Sequence, residues 1–293
     1  MANLKEVRTR IASVSSTQQI TSAMKMVSAA KFRRAQMAIL GMRPYAAQLE
    51  SIIASINVDD GVTTPFHFER SEKHVLLIVV TSNKGLCGGF NANVIKQASA
   101  RVDYYRQQQC PHLSLITIGK KATEVFSKQE GLVEESHDEL LDNATFDQVH
   151  ALSDLIMQRF VQRQYDKVEV IYNQFKNSIT QVLTTEQFLP IQPTRLPQSQ
   201  SAKSSVNNDF IYEPNKQEIL RNLVPFMLHT QFYRIILDSL AAEHGARMSA
   251  MQSATDNANE LLKELRLTYN KARQAAITNE IIEIVSGSEA LKG

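Results

Sequence analysis

The chain has 293 residues, 43% of them apolar and 21% charged, with a formal net charge of +2. That is the composition of one or two globular domains, and the near-neutral balance by itself names no class of partner. Two cysteines, Cys87 and Cys110, supply neither a disulfide framework nor a metal-ligand spacing, and the longest apolar run, Val75 to Val80, falls far short of a membrane span.

No signal or transit peptide precedes Met1-Ala2-Asn3-Leu4, so a soluble, intracellular chain in a reducing compartment is expected. Asn3, with Glu6 three residues on, resembles a capping box. From Leu4, apolar residues recur at alternating spacings of three and four: Leu4, Val7, Ile11 and Val14, then Phe32, Ala35, Ile39, Met42, Leu49 and Ile53. Between Gln18 and Ser28 this series turns polar. Ile20, Met24 and Val27 are expected to take over the apolar role there, as a stutter in the supercoil. Gly41 and Pro44 predict a kink. The first helix is predicted over 1–57, about 80 Å at 1.5 Å per residue. Residues 1–43 hold eight Lys or Arg against Glu6 alone, a local charge of +7. Arg8, Arg10, Lys25, Lys31, Arg33 and Arg34 suit a solvated face or an acidic protein partner equally well. A nucleic-acid arm is weakened because Phe32 is the only aromatic beside them.

From His74 the period changes. Residues 74–82 read as a buried strand, 92–109 as a helix, 113–119 as a strand, 120–129 as a short helix and 132–136 as a further strand. An amphipathic helix over 145–164 and strands over 167–175 and 180–188 complete a Rossmann-like α/β domain, 70–190. The turn TSNKGLCGGFN (81–91) lies between strand and helix, where phosphate loops occur. It lacks both G-x-G-x-x-G and Walker spacing, so a tight structural turn is expected. No arrangement of carboxylates, Ser/His/Asp or Cys/His stands out, and neither catalysis, a cofactor nor a metal is expected.

Residues 193–209 are rich in Pro, Ser and polar side chains and read as a linker. The last helix, 213–287, is predicted to begin at Pro214 with a bend at Pro225. Its seam runs through Phe226, Tyr233, Leu237, Leu240, Met251, Ala258, Leu261, Leu265 and Ile282, a coiled-coil spacing. The two terminal helices are expected to form a long antiparallel coiled coil beside the α/β domain. Roughly 19 residues of the second would overhang, about 28 Å, carrying Ile277, Ile281, Ile282, Ile284 and Val285.

Residues 13–36, SNKGLCGGFN (82–91) and AAEHGARMSAMQSATDNANELLKELRLTYNKARQAAITNEIIEIVSGSEAL (241–291) resemble the gamma-subunit family of rotary F-type ATP synthases. The resemblance spans essentially the whole chain. It implies a non-catalytic central stalk, or rotor shaft, turning inside three alpha and three beta chains. Its foot would meet the epsilon chain and the c-ring of the membrane sector. Met24 and Lys25 match the neck that passes acidic beta-chain loops, and Lys31 and Arg33 continue that basic stretch. Arg247 matches a basic position lower on the shaft. Arg273 and Gln274 match the pair that bonds a beta-chain loop, with Thr278 and Glu280 in the same contact turn. Ile281, Ile282 and Val285 belong to the tip, which runs to Leu291 in an apolar sleeve. Asn83 stands where the family usually has Asp, which affects only local turn bonding. The paired-cysteine insert of photosynthetic members is missing, so thiol regulation is not expected. The resemblance implies a bacterial protein, peripheral on the cytoplasmic side of the inner membrane. The alternative from another class is a basic coiled-coil nucleic-acid-binding protein. A third reading, an α/β nucleotide-dependent enzyme, would need the glycine turn to hold phosphate.

Overall fold

A computed structural model describes residues 4–55, 64–142, 144–177, 180–191, 213 and 215–290. The expected linker at 193–209, the Asn3 cap, Pro214 and Leu291 lie outside the described residues. The elements run in the order α1 (Leu4–Ser55), β1 (His74–Val80), α2 (Phe90–Gln107), β2 (His112–Ile118), α3 (Lys120–Phe126), β3 (Val133–Ser136), α4 (Phe146–Val161), β4 (Lys167–Phe175), β5 (Gln181–Leu189) and α5 (Lys216–Ala290). The chain divides into two compact units, Ala29–Ala246 and Met1–Ser28 with Arg247–Gly293.

The first unit holds a five-stranded sheet ordered β3-β2-β1-β4-β5, parallel except for β5, which pairs antiparallel with β4. β1 is apolar without alternation because both its faces are covered. Leu76, Ile78 and Val80 join one core with α4 and α5, while Val75, Leu77 and Val79 join another with α2 and α3. Thr145 caps α4, its side chain accepting from Gln148 N. α2 ends where Gln109 turns left-handed (φ 54). Within this unit the α1 and α5 segments are antiparallel: Tyr45 meets Phe226, whereas Ala35 and Ile39 pack with Leu237 and Ala241. Each helix continues as one element through its proline, Pro44 or Pro225. α5 starts at Lys216, two residues later than its expected start at Pro214. There the Asn215 side chain accepts from Glu218 N (2.8 Å) and supplies the N-cap.

The second unit is a pair of helix segments. Its α1 face corrects the expected stutter. Thr21 and Ser28 are buried and Met24 half-buried, whereas Ile20 (59%) and Val27 (58%) are exposed. The three-four series therefore keeps its phase through the polar stretch. It can do so because the buried hydroxyls are satisfied: Thr21 and Thr255 bond one another at 2.8 Å, and each has a carbonyl of its own helix within reach. Ser28 Oγ donates to Met24 O at 2.8 Å. A paired hydroxyl is cheap to bury, so small polar residues hold the seam while the larger apolar ones face outward.

Candidate functional site

β1 lies between β2 and β4, so the crossovers diverge at its carboxyl end, and in a doubly wound sheet that switch point is where ligands bind. Here the glycine-rich turn closes on itself instead. Ser82 N donates to Asn91 Oδ1 (2.9 Å), and Asn91 Nδ2 donates to Ser82 Oγ (2.8 Å) and Cys87 Sγ (3.2 Å). Gly88 (φ 60) takes the left-handed conformation, and so does Leu86 (φ 63). Cys87 and Phe90 are buried against Ala242 of α5, with Phe175 from the end of β4 and Ala246 completing the cluster. The buried side of the turn is thus packed against the chain's own C-terminal helix. At the neighbouring strand end a Cβ on Gly119 would stand 2.5 Å from Thr81 O, so only glycine fits that approach.

Asn83 has its own logic. Its Nδ2 donates to Asp138 O (2.9 Å) and Asp142 Oδ1 (3.1 Å), and its Oδ1 accepts from Lys120 N (3.1 Å). An aspartate here could make neither donation and would face Asp142 with like charge.

A second polar cluster surrounds Glu169 on β4, which is 3% exposed. Arg101 grips it with Nε (2.7 Å) and Nη2 (2.6 Å), and the Tyr105 hydroxyl donates at 2.8 Å. Burial alone would raise its pKa. Hydrogen bonds from Arg101 and Tyr105, with the charges of Arg101 and Lys167, outweigh that and hold it low. The Arg101 guanidinium is correspondingly raised, first by its hydrogen bond to Glu169. These groups satisfy one another across the α2–β4 contact, which is a structural arrangement. Among the described residues, no group of three or more His, Cys, Asp or Glu could hold a metal ion. No described helix is long and apolar enough to cross a membrane.

The residues expected at partner surfaces fall into three sets. Met24 and Lys25 are half-buried, and Lys31 and Arg33 exposed, all on α1. Arg247 on α5 is different: at 8% exposure it is covered within this chain. Arg273, Gln274, Thr278 and Glu280 are exposed, as are Ile281 (55%), Ile282 (56%) and Val285 (53%), with Ile277 (48%) and Ile284 (67%) beside them. From Arg273 to Ser288 every residue of α5 is exposed. Five β-branched apolar side chains on one bare helical stretch form a surface that burial elsewhere would stabilise, by about 1.5–3 kcal/mol for each side chain fully covered.

Sequence reasoning passed over the buried polar joints of the sheet-bearing unit. Glu186 is 7% exposed and His229 5%. The signal for the first was present: in a period-two strand, Glu186 shares a face with the fully covered Phe188.

A family model described as ATP synthase matches residues 3–291. The ATP synthase gamma chain of Flavobacterium johnsoniae is 52% identical over the whole of both chains. That of Cytophaga hutchinsonii is 50% identical over 99% of each. Among solved structures, a chain of the Euglena gracilis mitochondrial ATP synthase (OSCP/F1/c-ring) matches with a TM-score of 0.65 at 18% identity, covering 98% of this chain and 94% of that one. A chain from the central stalk and c-ring of the Tetrahymena thermophila mitochondrial enzyme matches with a TM-score of 0.58 at 22% identity, covering 80% and 99%.

Proposed function

Since this chain belongs to the ATP synthase gamma-chain family, we propose that it is the central stalk of a bacterial, proton-translocating ATP synthase. In that role it couples rotation of the membrane ring to ATP synthesis at alpha/beta sites and makes no catalytic contribution of its own. Its partners are three alpha and three beta chains, the epsilon chain and the c-ring. It sits peripherally at the inner membrane, on the cytoplasmic side, attached through the complex. The matches lend no support to the nucleic-acid reading.

The observation that carries this is the bare end of α5, where Ile277, Ile281, Ile282, Ile284 and Val285 are all close to half-exposed or more. A sleeve of partner chains supplies the burial that this chain does not. An asymmetric helical pair then presents a different face to each of three equivalent sites. The affinity of each site for nucleotide follows the angle of the stalk through differential contact energy. Lys25, Lys31 and Arg33 provide positive charge toward acidic loops. Arg273 and Gln274 bond a beta-chain loop, with Thr278, Glu280, Ile281, Ile282 and Val285 further along the same contact, and Met24 sits at the neck. Arg247, covered in this chain, acts from within the helical pair.

Arg273→Ala tests the reading in the assembled enzyme. A lost charge-assisted bond of about 1.5–3 kcal/mol lowers coupled ATP synthesis on the order of tenfold or more. Because Arg273 is exposed in this chain, its melting temperature stays put. A melting temperature that falls with activity makes Arg273 a fold residue, and a chain that does not co-purify with alpha, beta and epsilon chains ends the stalk reading.

A further inference from the structure

The joint between α5 and the sheet is held on two opposite sides of the helix. On one side stands Glu186 of β5, a buried carboxylate that receives three donors. The Tyr172 hydroxyl on β4 reaches Oε2 at 2.9 Å, while Gln231 Nε2 (2.7 Å) and Arg234 Nη2 (3.2 Å), both on α5, reach Oε1. Burial and the adjacent Glu186 charge push the Tyr172 phenol upward, so it stays a donor. On the other side stands His229 of α5, whose Nδ1 lies 2.6 Å from Ser153 Oγ on α4. The His150 ring of α4 stacks on it with centroids 3.7 Å apart.

At about 100° per residue, Gln231 and Arg234 sit roughly 200° and 140° round the helix from His229, so the two contacts bracket its opposite face. They also lie within about one and a half turns along the axis. Between them Phe232, Ile235 and Ile236 are fully covered and bind α5 to the core. Apolar packing keeps this face inward, but it sets the angle of the helix less sharply than directional bonds do. Hydrogen bonds, above all to a charged acceptor, weaken steeply with misalignment and so resist rotation of the helix about its own axis.

We propose that Glu186 with Gln231 and Arg234, and Ser153 with His229, form a two-jawed clamp that locks α5 against turning within the sheet domain. This makes the joint the torque-bearing connection of the stalk. The inference rests on the stalk reading above, because it is that role that would load the joint in torsion. Glu186 and Ser153 are positioning residues: they touch no nucleotide and act through the orientation of α5.

The test uses the complete enzyme in membrane vesicles, measuring ATP hydrolysis, ATP-driven proton uptake and subunit content in the same preparation. Glu186→Leu combined with Ser153→Ala keeps hydrolysis close to wild type and lowers protons moved per ATP several-fold. Glu186→Gln, which keeps the shape and one acceptor, restores most of the ratio. Hydrolysis and uptake falling in parallel, with loss of bound chain, mark an ordinary fold contact and overturn the clamp; so does an unchanged ratio. If Glu186→Leu does not assemble, Ser153→Ala decides alone, and a wild-type ratio overturns the proposal. Failure of the unmodified chain to assemble or support uptake sinks the stalk reading instead, so the two failures are distinguishable.

Discussion

In the sheet-bearing unit the contacting residues are large and wholly covered: Leu76, Leu77, Ile78, Phe160, Tyr172 and Phe232 expose nothing. In the helical unit the covered residues are Val7, Thr21, Ser28, Arg247, Met251, Thr255, Ala258 and Leu262, each 3–9% exposed, and hydroxyls stand where a coiled coil usually has aliphatics. Burial of apolar area is the main favourable contribution to folding. The first unit holds the two large apolar clusters. The second buries little and turns Ile20, Met26, Val27 and Leu267 outward. The lesson is that the sheet domain is built for its own stability, and the helical pair for contact with something else.

The largest expected effect comes from removing a covered side chain in each unit. Leu77→Ala should cost about 2–5 kcal/mol, from lost transfer energy and the cavity left in a core with no room to relax. Leu262→Ala, in a thin two-helix seam open to collapse and water, should cost about 1–2 kcal/mol. Chemical denaturation of the purified chain measures both, and native-state hydrogen exchange should show strong protection in β1 and weak protection in 4–28. Equal losses for the two variants would break the comparison.

A second, smaller effect belongs to the sheet-bearing unit alone. Burial, and then the neighbouring His150, lower the pKa of His229 from 6.5 to about 4, with Asp154 pulling the other way. The unfolded chain therefore takes up this proton more readily than the folded one between those values. The sign follows: the stability contribution is complete above pH 6.5 and is lost as pH falls toward 4, by at most about 3 kcal/mol. Melting curves across that range should show the loss. His229→Asn, which can still meet Ser153, should flatten that limb. A limb equally steep in the variant would assign the titration to other groups.

The contrast between the units also explains what could be read from the residues. The strand at Val75 to Val80 was legible because it buries its side chains by rules that depend on apolarity. The coiled-coil period was legible for the same reason at Ala35, Ile39 and Leu237. The phase of the neck was not. The expectation followed the apolar Ile20 and Val27, whereas the seam follows Thr21 and Ser28, whose hydroxyls find partners only once the second helix is in place. His229 was missed on similar grounds, because a buried polar residue off any strand alternation is intelligible only with its partners, whereas the place of Glu186 on the Phe188 face was legible. The exposed end of α5 was foreseen from helix length alone. The roles of Arg273 and Gln274 came from family resemblance, since nothing in their spacing speaks of a beta chain.

The smallest expected effect sharpens the comparison most, because it asks whether the helical seam is polar for stability or for something else. Thr21 and Thr255 share a hydrogen bond at 2.8 Å, and each is under 10% exposed. Removing one hydroxyl of such a pair strands its mate, and either single change to Val should cost about 1 kcal/mol, softened because a backbone carbonyl, Gln18 O or Met251 O, remains for the survivor. Replacing both by valine of nearly the same shape removes the polar groups together and adds apolar area, so the double variant should be close to neutral or slightly more stable. The coupling from this double-mutant cycle, read by denaturation of the purified chain, should be about 2 kcal/mol. A double variant that loses the sum of the singles would mean that the hydroxyls stabilise the seam outright. A neutral double variant means the seam could be apolar at no cost, so its polarity serves the setting of register between two helices that bury too little to fix it by packing alone.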